Sequence, residues 1–509
     1  MILYQTGNMR IETIILITYI GSLTLLFFFA SHGFSMIYLY FKTFNKRTED
    51  INEKDFEIKD YPFVTIQLPL YNEKYVICRL IDATLRIDYP KDKLEVQILD
   101  DSTDDTKDII ETHIKKYKEL GYIVNHIHRS NRQGYKAGAL KEGLKVALGE
   151  YVAIFDADFI PRKNFLKRTI PYFLKNDRIG LVQTRWEHLN RDYSILTKTQ
   201  AIALDGHFVI EQAVRNRAGF FINFNGTGGV WRKSCIEDAG NWEADTLTED
   251  LDLSYRAQMK GWELKYLVNF TSPAELPADI NALRSQQFRW TKGAIETAKK
   301  IYPKVLKSNL PFREKIQSFI HLWSNIAYPF ILIAALLSPL VTIIKETGEY
   351  DDVYKFMSFF IFAFVSSMMF YLYSQKDIYP DWQQRIIYFP VFMMGSMGLA
   401  VNNTKAVWEG LINKKSEFVR TPKYKIVDEN DTVHDKKYHA KKIPIIAFIE
   451  GILSIYLFTG VGISIYYAQI ASIPFQLMFA LGFGTISVLS IKQVVSHNRA
   501  KLIELKPNA

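Results

Sequence analysis

Cysteine is almost missing from this chain: 509 residues hold only Cys78 and Cys235. The two have neither a disulfide-type spacing nor metal-like partners, which excludes a disulfide framework and fits a reducing compartment. A cleavage site is missing behind the first apolar run, Ile11 to Phe41. That run is also too long for the apolar core of a removable signal, so it reads as a retained anchor. An even distribution of charge is missing as well. Charged residues crowd between about residues 42 and 315, whereas the last third holds runs of Ile, Leu, Phe, Tyr and Val that reach the ~20 residues a spanning helix needs. The expectation is an integral protein of the lipid bilayer with a large water-exposed insert. A formal net charge of +9 would suggest nucleic acid in a soluble protein. Here much of the basic excess adjoins apolar runs, where Lys and Arg record orientation, and a nucleic-acid partner is discounted.

Orientation follows from the flanks. Lys42, Lys46 and Arg47 follow the first run while only Arg10 precedes it, which places the insert in the cytosol, at a plasma (inner) membrane or an equivalent endomembrane. The run exceeds the ~30 Å hydrocarbon layer, so it must tilt, project or bend near Ser31 to Gly33. The C-terminal third offers five apolar runs, at about 317–344, 357–374, 386–401, 443–467 and 472–491. If all five spanned, the basic stretch from Lys405 to Lys442 would lie on the far side, against the charge rule. The middle run is the shortest, begins beside Arg385, contains Pro390 and continues into the amphipathic "NNTKAVWEGLINKK". Residues 383–412 are therefore expected to lie at the interface or to re-enter, which leaves five spans in total and turns the acidic "KETGEYDD" outward.

Within the insert, apolar strands alternate with amphipathic helices: "FVTIQLPLYNE", "VICRLIDATLRI", "LEVQILDDSTDDT", "TKDIIETHIKKYKEL". This rhythm predicts a mostly parallel sheet covered by helices, with ligands at the carboxyl ends of its strands. Acids fall there. Asp100 and Asp101 close the second strand; Asp156 and Asp158 follow "VAIF", and residues two apart on a strand share a face; Thr248, Glu249 and Asp250 open a helix. Each group alone is compatible with turn chemistry or helix capping. Together they suggest a hard metal held by oxygens, a nucleotide, and a separate carboxylate acting as base.

Five stretches in order, "LDDSTDDT", "FDADFIP", "FNGTGGVWR", "TEDLDLSYRAQMKGW" and "QQFRW", resemble the motifs of the processive, membrane-embedded family 2 glycosyltransferases, the cellulose-synthase and cellulose-synthase-like group. The likeness runs over roughly residues 60 to 430. It implies an α/β GT-A (Rossmann-like) domain inserted between transmembrane helices. It also implies that Asp156 and Asp158 hold Mg2+ or Mn2+ against the diphosphate of a nucleotide sugar, that Asp101, with Asp100 beside it, contacts the nucleotide, and that Asp250, flanked by Thr248 and Glu249, is the general base. Gln286, Gln287, Arg289 and Trp290 match Q(Q/R)xRW, in which the Arg meets the diphosphate and the Trp stacks on the acceptor sugar. Arg132 and Lys136 in "NRQGYKAGAL" stand at an expected helix start suited to phosphate. "FVRTPK" is similar to the FxVTxK gating loop, which implies gating roles for Phe418, Thr421 and Lys423, although Arg420 stands where that pattern has Val.

Motif detail leans toward the glucomannan, mannan and xyloglucan-backbone synthases, and nothing after the last span is long enough for an appended cyclic-dinucleotide domain. The expected activity is an inverting, processive β-glycosyl transfer from GDP-mannose or UDP-glucose onto a polysaccharide, β-1,4-linked and extruded through the protein's own helices; the sequence names no export partner. Two other readings stay open at this point: a non-processive transferase acting on a lipid-linked acceptor, and a nucleotide-regulated transporter, for which Glu450 and His321 are the main intramembrane ionisable residues. The chain is thus divided into an anchor (1–48), a cytosolic catalytic domain whose interfacial QQFRW helix lies near its end (49–300), two spans (301–382), an interfacial helix with the gating-like loop (383–442), and two spans with a tail (443–509).

Overall fold

The structure, a computed structural model, describes residues 10–45, 58, 60–416, 420–426, 431 and 443–504. Its centre is a seven-stranded sheet built from β1 (Val64–Leu70), β2 (Leu94–Asp100), β3 (Ile123–His128), β4 (Tyr151–Ile154), β5 (Ile179–His188), β6 (Gly229–Arg232) and β7 (Glu263–Ala274). The order is β3-β2-β1-β4-β6-β5-β7. β6 runs antiparallel to both of its neighbours and every other pair is parallel, so the expected mostly parallel sheet is present. Strands β1, β2 and β4 are buried on both faces because helices cover both, which is why they read as near-continuous apolar runs. Ile77–Leu85, Thr106–Glu119 and Phe165–Lys175 pack on one side. Tyr135–Lys145, Lys233–Asp238 and Glu249–Met259 pack on the other.

From β1 the chain steps outward to β2 and β3, then returns to the opposite flank of β1 with β4. That reversal opens a crevice beyond the carboxyl ends of β1 and β4, where open α/β sheets bind ligands. The buried side chains between the strands are not all apolar. In the parallel register Thr65 faces Glu95 and Gln67 faces Gln97, and these four bond in a chain: Thr65 Oγ1 to Glu95 Oε2 at 2.7 Å, Gln67 Nε2 to Gln97 Oε1 at 3.0 Å, and Gln97 Nε2 to Glu95 Oε1 at 3.2 Å. A one-residue slip would leave every one of them buried and unpaired, so the ladder fixes register as well as contributing hydrogen bonds.

Among the described residues, five helices are long and apolar enough to cross a membrane: Ile11–Lys42, Phe312–Lys345, Asp351–Ile378, Ile445–Tyr466 and Ile473–Ser496. The first is one continuous helix that runs through Ser31 to Gly33 without a break. Ser366 docks on it there, its Oγ donating to Ala30 O at 2.6 Å and accepting from Phe34 N at 3.1 Å. Residues 382–411 form two helices, Trp382–Gly398 and Ala400–Leu411, bent by 47° as in a broken span or a re-entrant loop, in the place where an interfacial or re-entrant element was expected. The boundary expected at residue 300 falls inside a continuous helix, Ile280–Lys307. This helix carries QQFRW and reaches from the sheet domain to the apolar helices. Arg284 on it forms a buried ion pair with Glu450 of the Ile445–Tyr466 helix, at side-chain exposures of 5% and 0%.

Two buried charges stay together because either one alone is costly. Glu450→Leu should therefore destabilise the protein by about 3–5 kcal/mol, read as a lowered thermal midpoint in detergent. The double variant Arg284→Met/Glu450→Leu should recover most of the loss. A single variant as stable as the parent would refute the role of the pair.

Candidate active site

A cavity of about 160 Å³ lies at the crevice. Its floor is made by the turns after three strands: Tyr71 and Glu73 after β1, Asp101 after β2, Asp156 and Asp158 after β4. The two aspartates do not lie on a strand, which corrects the face-sharing expectation. β4 ends at Ile154, and the turn is closed by Phe159 N donating to Asp156 O at 3.0 Å. Both aspartates line the cavity because this turn is held from across the sheet, with Asp156 N donating to Thr227 Oγ1 at 2.9 Å.

The opposite wall is the start of the Glu249–Met259 helix, with Thr248, Glu249 and Asp250 lining the cavity. Leu251 N donates to Asp250 Oδ1 at 2.8 Å, and Thr248 Oγ1 lies 3.0 Å from Thr297 Oγ1. Gly226 lets the "NGTGG" loop come this close. Its φ is +78°, and a Cβ there would stand 3.0 Å from Asp250 Oδ2 and 3.3 Å from Lys136 Nζ, so any side chain would be strained and crowded. The third wall is the Ile280–Lys307 helix. Gln286, Arg289 and Trp290 line the cavity, and with Gly293 they follow the i, i+3, i+4, i+7 spacing of one helical face. Gly293 brings that face against the TED turn: a Cβ there would meet Thr248 Cγ2 at 2.6 Å.

Lys136 Nζ, at the start of the Tyr135–Lys145 helix, pairs with Asp156 Oδ1 at 2.6 Å and donates to Gly226 O at 2.8 Å. The Arg132 guanidinium lies 3.5 Å from the centre of the Tyr71 ring. From the basic loop, Lys423 Nζ pairs with Asp158 Oδ1 at 2.6 Å and Arg420 with Glu73 Oε2 at 2.9 Å. Tyr424 anchors this segment, buried, with its N–H on Glu275 Oε1 at 2.9 Å and its hydroxyl on Asp279 Oδ2 at 2.8 Å.

These environments pull the carboxyls apart. Burial pushes Asp250 up to about 7, with help from the neighbouring charge of Glu249. Burial raises Glu249 too, against Lys136. Glu73 is likewise pushed up to about 7 by burial, against Lys423 and Arg420. Burial would raise Asp156 as well, but Lys136 and Lys423 outweigh it and hold the group below its ordinary value. The site therefore offers two carboxyls that exchange a proton near neutrality, Asp250 and Glu73, and one that stays ionised, Asp156, the split that acid–base chemistry beside a cation needs. Asp156 and Asp158 each draw an ammonium to within 2.6 Å, and their oxygens form the hard donor set that suits Mg2+ or Mn2+. The residues fit such an ion.

Two expected contacts are corrected. Asp100 and Gln287 do not line the cavity, whereas the other expected residues from 101 to 290 do. Successive strand residues point to opposite faces, and Asp100 turns under β3, where Ser102 N and His126 bond to it. Asp101 points into the site, gripped by Arg129 through two hydrogen bonds of 2.7 and 2.5 Å. Gln287 lies one residue beyond Gln286, rotated by about 100° off the cavity face. Thr421 and Lys423 line the cavity, while Phe418 lies outside the described residues. Sequence reasoning missed Glu73, Asn225, Gly226 and Arg420 as lining residues. Glu73 had a usable signal, as an acid just past a strand end; Arg420 had one only in its complementary charge.

Residues 62–293 match the family described as glycosyltransferase like family 2. The chain is 41% identical over 305 residues to glucomannan 4-beta-mannosyltransferase 9 of Arabidopsis thaliana, covering 57% of each chain. It is 37% identical over 350 residues to glucomannan 4-beta-mannosyltransferase 7 of the same plant, covering 64% of this chain and 63% of that one. These matches span about three fifths of the relatives' length. Among solved structures, the mannosyltransferase PcManGT from Pyrobaculum calidifontis in complex with GDP-Man and Mn2+ superposes on 77% of this chain and 100% of its own, with a TM-score of 0.53 at 17% identity, which identifies a common fold. Residues 62–293 therefore form a family 2 glycosyltransferase domain with the GT-A fold, in a chain similar to the glucomannan mannosyltransferases of the cellulose-synthase-like group.

Proposed function

We propose that the protein is an inverting, metal-dependent, processive β-glycosyltransferase that polymerises mannose, with glucose as a second sugar, from GDP-mannose or UDP-glucose in β-1,4 linkage. The observation that carries this reading is one cavity shared by the buried Asp250, the Asp156/Asp158 pair, and Arg289 and Trp290 of a single helix. The activity for which these relatives are named, 4-beta-mannosyl transfer into glucomannan, supports mannose as the sugar. The GDP-Man and Mn2+ of PcManGT point to GDP-mannose and favour Mn2+ or Mg2+ as the ion.

Asp250 accepts the proton of the acceptor hydroxyl as the new glycosidic bond forms and the bond from C1 to the phosphate oxygen breaks; the electron pair leaves with the nucleoside diphosphate. With Asp250 as the base and the acceptor oxygen attacking C1 directly, the transfer is a single displacement with inversion, through an oxocarbenium-like transition state. Arg132, Lys136 and Arg289 meet the charge that develops on the leaving group, in a buried site where such contacts count most. A divalent cation held by Asp156 and Asp158 supplies further neutralisation there. Trp290 offers the stacking surface for the acceptor. It lies less than two helical turns from Arg284, whose pairing with Glu450 ties the same helix to the apolar helices, and we place the route of the growing chain between those helices, with the catalytic domain cytosolic. The ionisable residues a transport pathway would need are already engaged: Glu450 with Arg284, and His321 Nδ1 with Tyr255 OH at 2.8 Å.

The cavity's 160 Å³ falls short of the ~300–1,000 Å³ typical of small-molecule sites, and Lys423 fills the place beside Asp158. In this reading the 420–426 segment is the gate: it withdraws to admit the donor, which takes Lys423 off Asp158, and as it closes again Lys423 meets the diphosphate.

Purified protein in detergent with Mn2+ and radiolabelled GDP-mannose or UDP-glucose should yield an insoluble, size-heterogeneous polymer, absent with Asp250→Asn. A single labelled lipid would instead mark a lipid-acceptor transferase. Asp250 works in its deprotonated form and titrates at about 7, so kcat/KM should fall with pH below about 7 by roughly tenfold per unit and level off above it. A profile flat down to pH 5 would exclude Asp250 as the base. Lys423→Ala removes the cation that competes at Asp158 and also a contact to the leaving group. Half-saturating Mn2+ should fall while kcat drops by about 10²-fold; an unchanged Mn2+ requirement would remove Lys423 from the site.

A further inference from the structure

A second ligand set lies on the edge of the sheet, apart from the cavity. His126 and His128 are two apart on the edge strand β3 and share a face, and the parallel register places Asp100 opposite His128. Asp100 Oδ2 stands 3.0 Å from His126 Nε2 and 3.2 Å from His128 Nδ1, and the three ligand atoms lie within 4.8 Å of one another. Around a tetrahedral ion with bonds of ~2.0–2.1 Å, ligand atoms stand about 3.3 Å apart, so two of the three edges already have that length. Ser102 N donates to the other carboxylate oxygen, Oδ1, at 2.8 Å and leaves Oδ2 facing both rings. Asp100 and His126 are at most 8% exposed, while His128 is 30% exposed, which gives an ion a way in and a water a fourth position. The acidic group Glu243, Asp245 and Asp252 is different: Lys300 pairs with all three at 2.5–3.0 Å and Arg256 pairs with Asp252 at 2.7 Å, so side-chain cations already occupy the place an ion would take.

We propose that Asp100, His126 and His128 form a structural site for a borderline divalent transition metal, with Zn2+ as its first occupant. Two imidazoles and a carboxylate suit Zn2+ and its neighbours, whereas the all-oxygen pair Asp156 and Asp158 suits Mg2+ or Mn2+. The ion pins the end of β3 to β2. Beyond that end lie Arg129, which grips Asp101, and Arg132 of the cavity wall, so occupancy stiffens one side of the donor site.

The test uses full-length, tag-free protein in detergent, stripped with a chelator and then dialysed against micromolar Zn2+ with excess Mg2+. Metal content is measured by mass spectrometry, and Co2+ replaces Zn2+ for visible spectroscopy. One Zn2+ per chain is expected, retained in Asp156→Asn/Asp158→Asn, with the intense absorption of four-coordinate Co2+ in the parent protein. His128→Gln, at the exposed edge, should keep its circular dichroism yet bind Zn2+ more weakly by over the ~10–100-fold typical of losing a mere outer-shell partner. No Zn2+ retained by the parent, equal affinity in His128→Gln, or loss of the ion in the double aspartate variant would each overturn the proposal.

Discussion

Carboxylates packed into one cavity repel each other, and everything else about this site answers that repulsion. Glu73, Asp101, Asp156, Asp158, Glu249, Asp250 and Glu275 line a single space with Arg132, Lys136, Arg289, Arg420 and Lys423, seven acids against five cations. At about 4 Å, two like charges cost roughly 4 kcal/mol even at the effective dielectric of a protein surface. The cations must therefore be close, and the 2.6 Å contacts of Lys136 and Lys423 show that they are. Burial, with the same repulsion added, pushes Asp250 up to about 7, so a carboxyl poised to exchange a proton and the pull on the neighbouring ammonium groups share one electrostatic origin.

A second constraint is mechanical. The Ile280–Lys307 helix carries Gln286, Arg289 and Trp290 on its cavity face and Arg284 toward the apolar helices. It is also clamped to the bent helix pair, with Lys292 Nζ 3.4 Å from Glu409 Oε2 and Lys299 Nζ donating to Gly410 O at 3.2 Å. A helix is stiff over such a length, so acceptor position and membrane packing cannot vary independently. The proposed chain growth needs this coupling: each sugar added beside Trp290 has to move away along a path set by the same rod.

Much of this was legible in the sequence because it rests on local order. The βαβ rhythm, the acids at strand ends, the TED helix start and the i, i+3, i+4 set of QQFRW depend on periodicities of 2 and 3.6, and the sheet, the cavity and its lining follow them. The places where the reading missed are those where a side chain's direction depends on where an element stops. Asp156 and Asp158 were assigned to a strand that ends two residues earlier. Asp100 was grouped with Asp101, although alternation sends it to the far side of the sheet.

The class of protein and most of the residues that line the cavity could be read along the chain: long apolar runs cannot be hidden in water, and acids at the ends of buried strands have nowhere to go but a crevice. The tertiary structure alone decided the partners. Arg420 meets Glu73 across 347 positions, Lys423 meets Asp158, Arg284 meets Glu450, and His126 and His128 meet Asp100 only through strand register. Charge pairing and metal ligation act over a few ångströms of space, and distance along the chain carries no record of that until the sheet and the helices have packed.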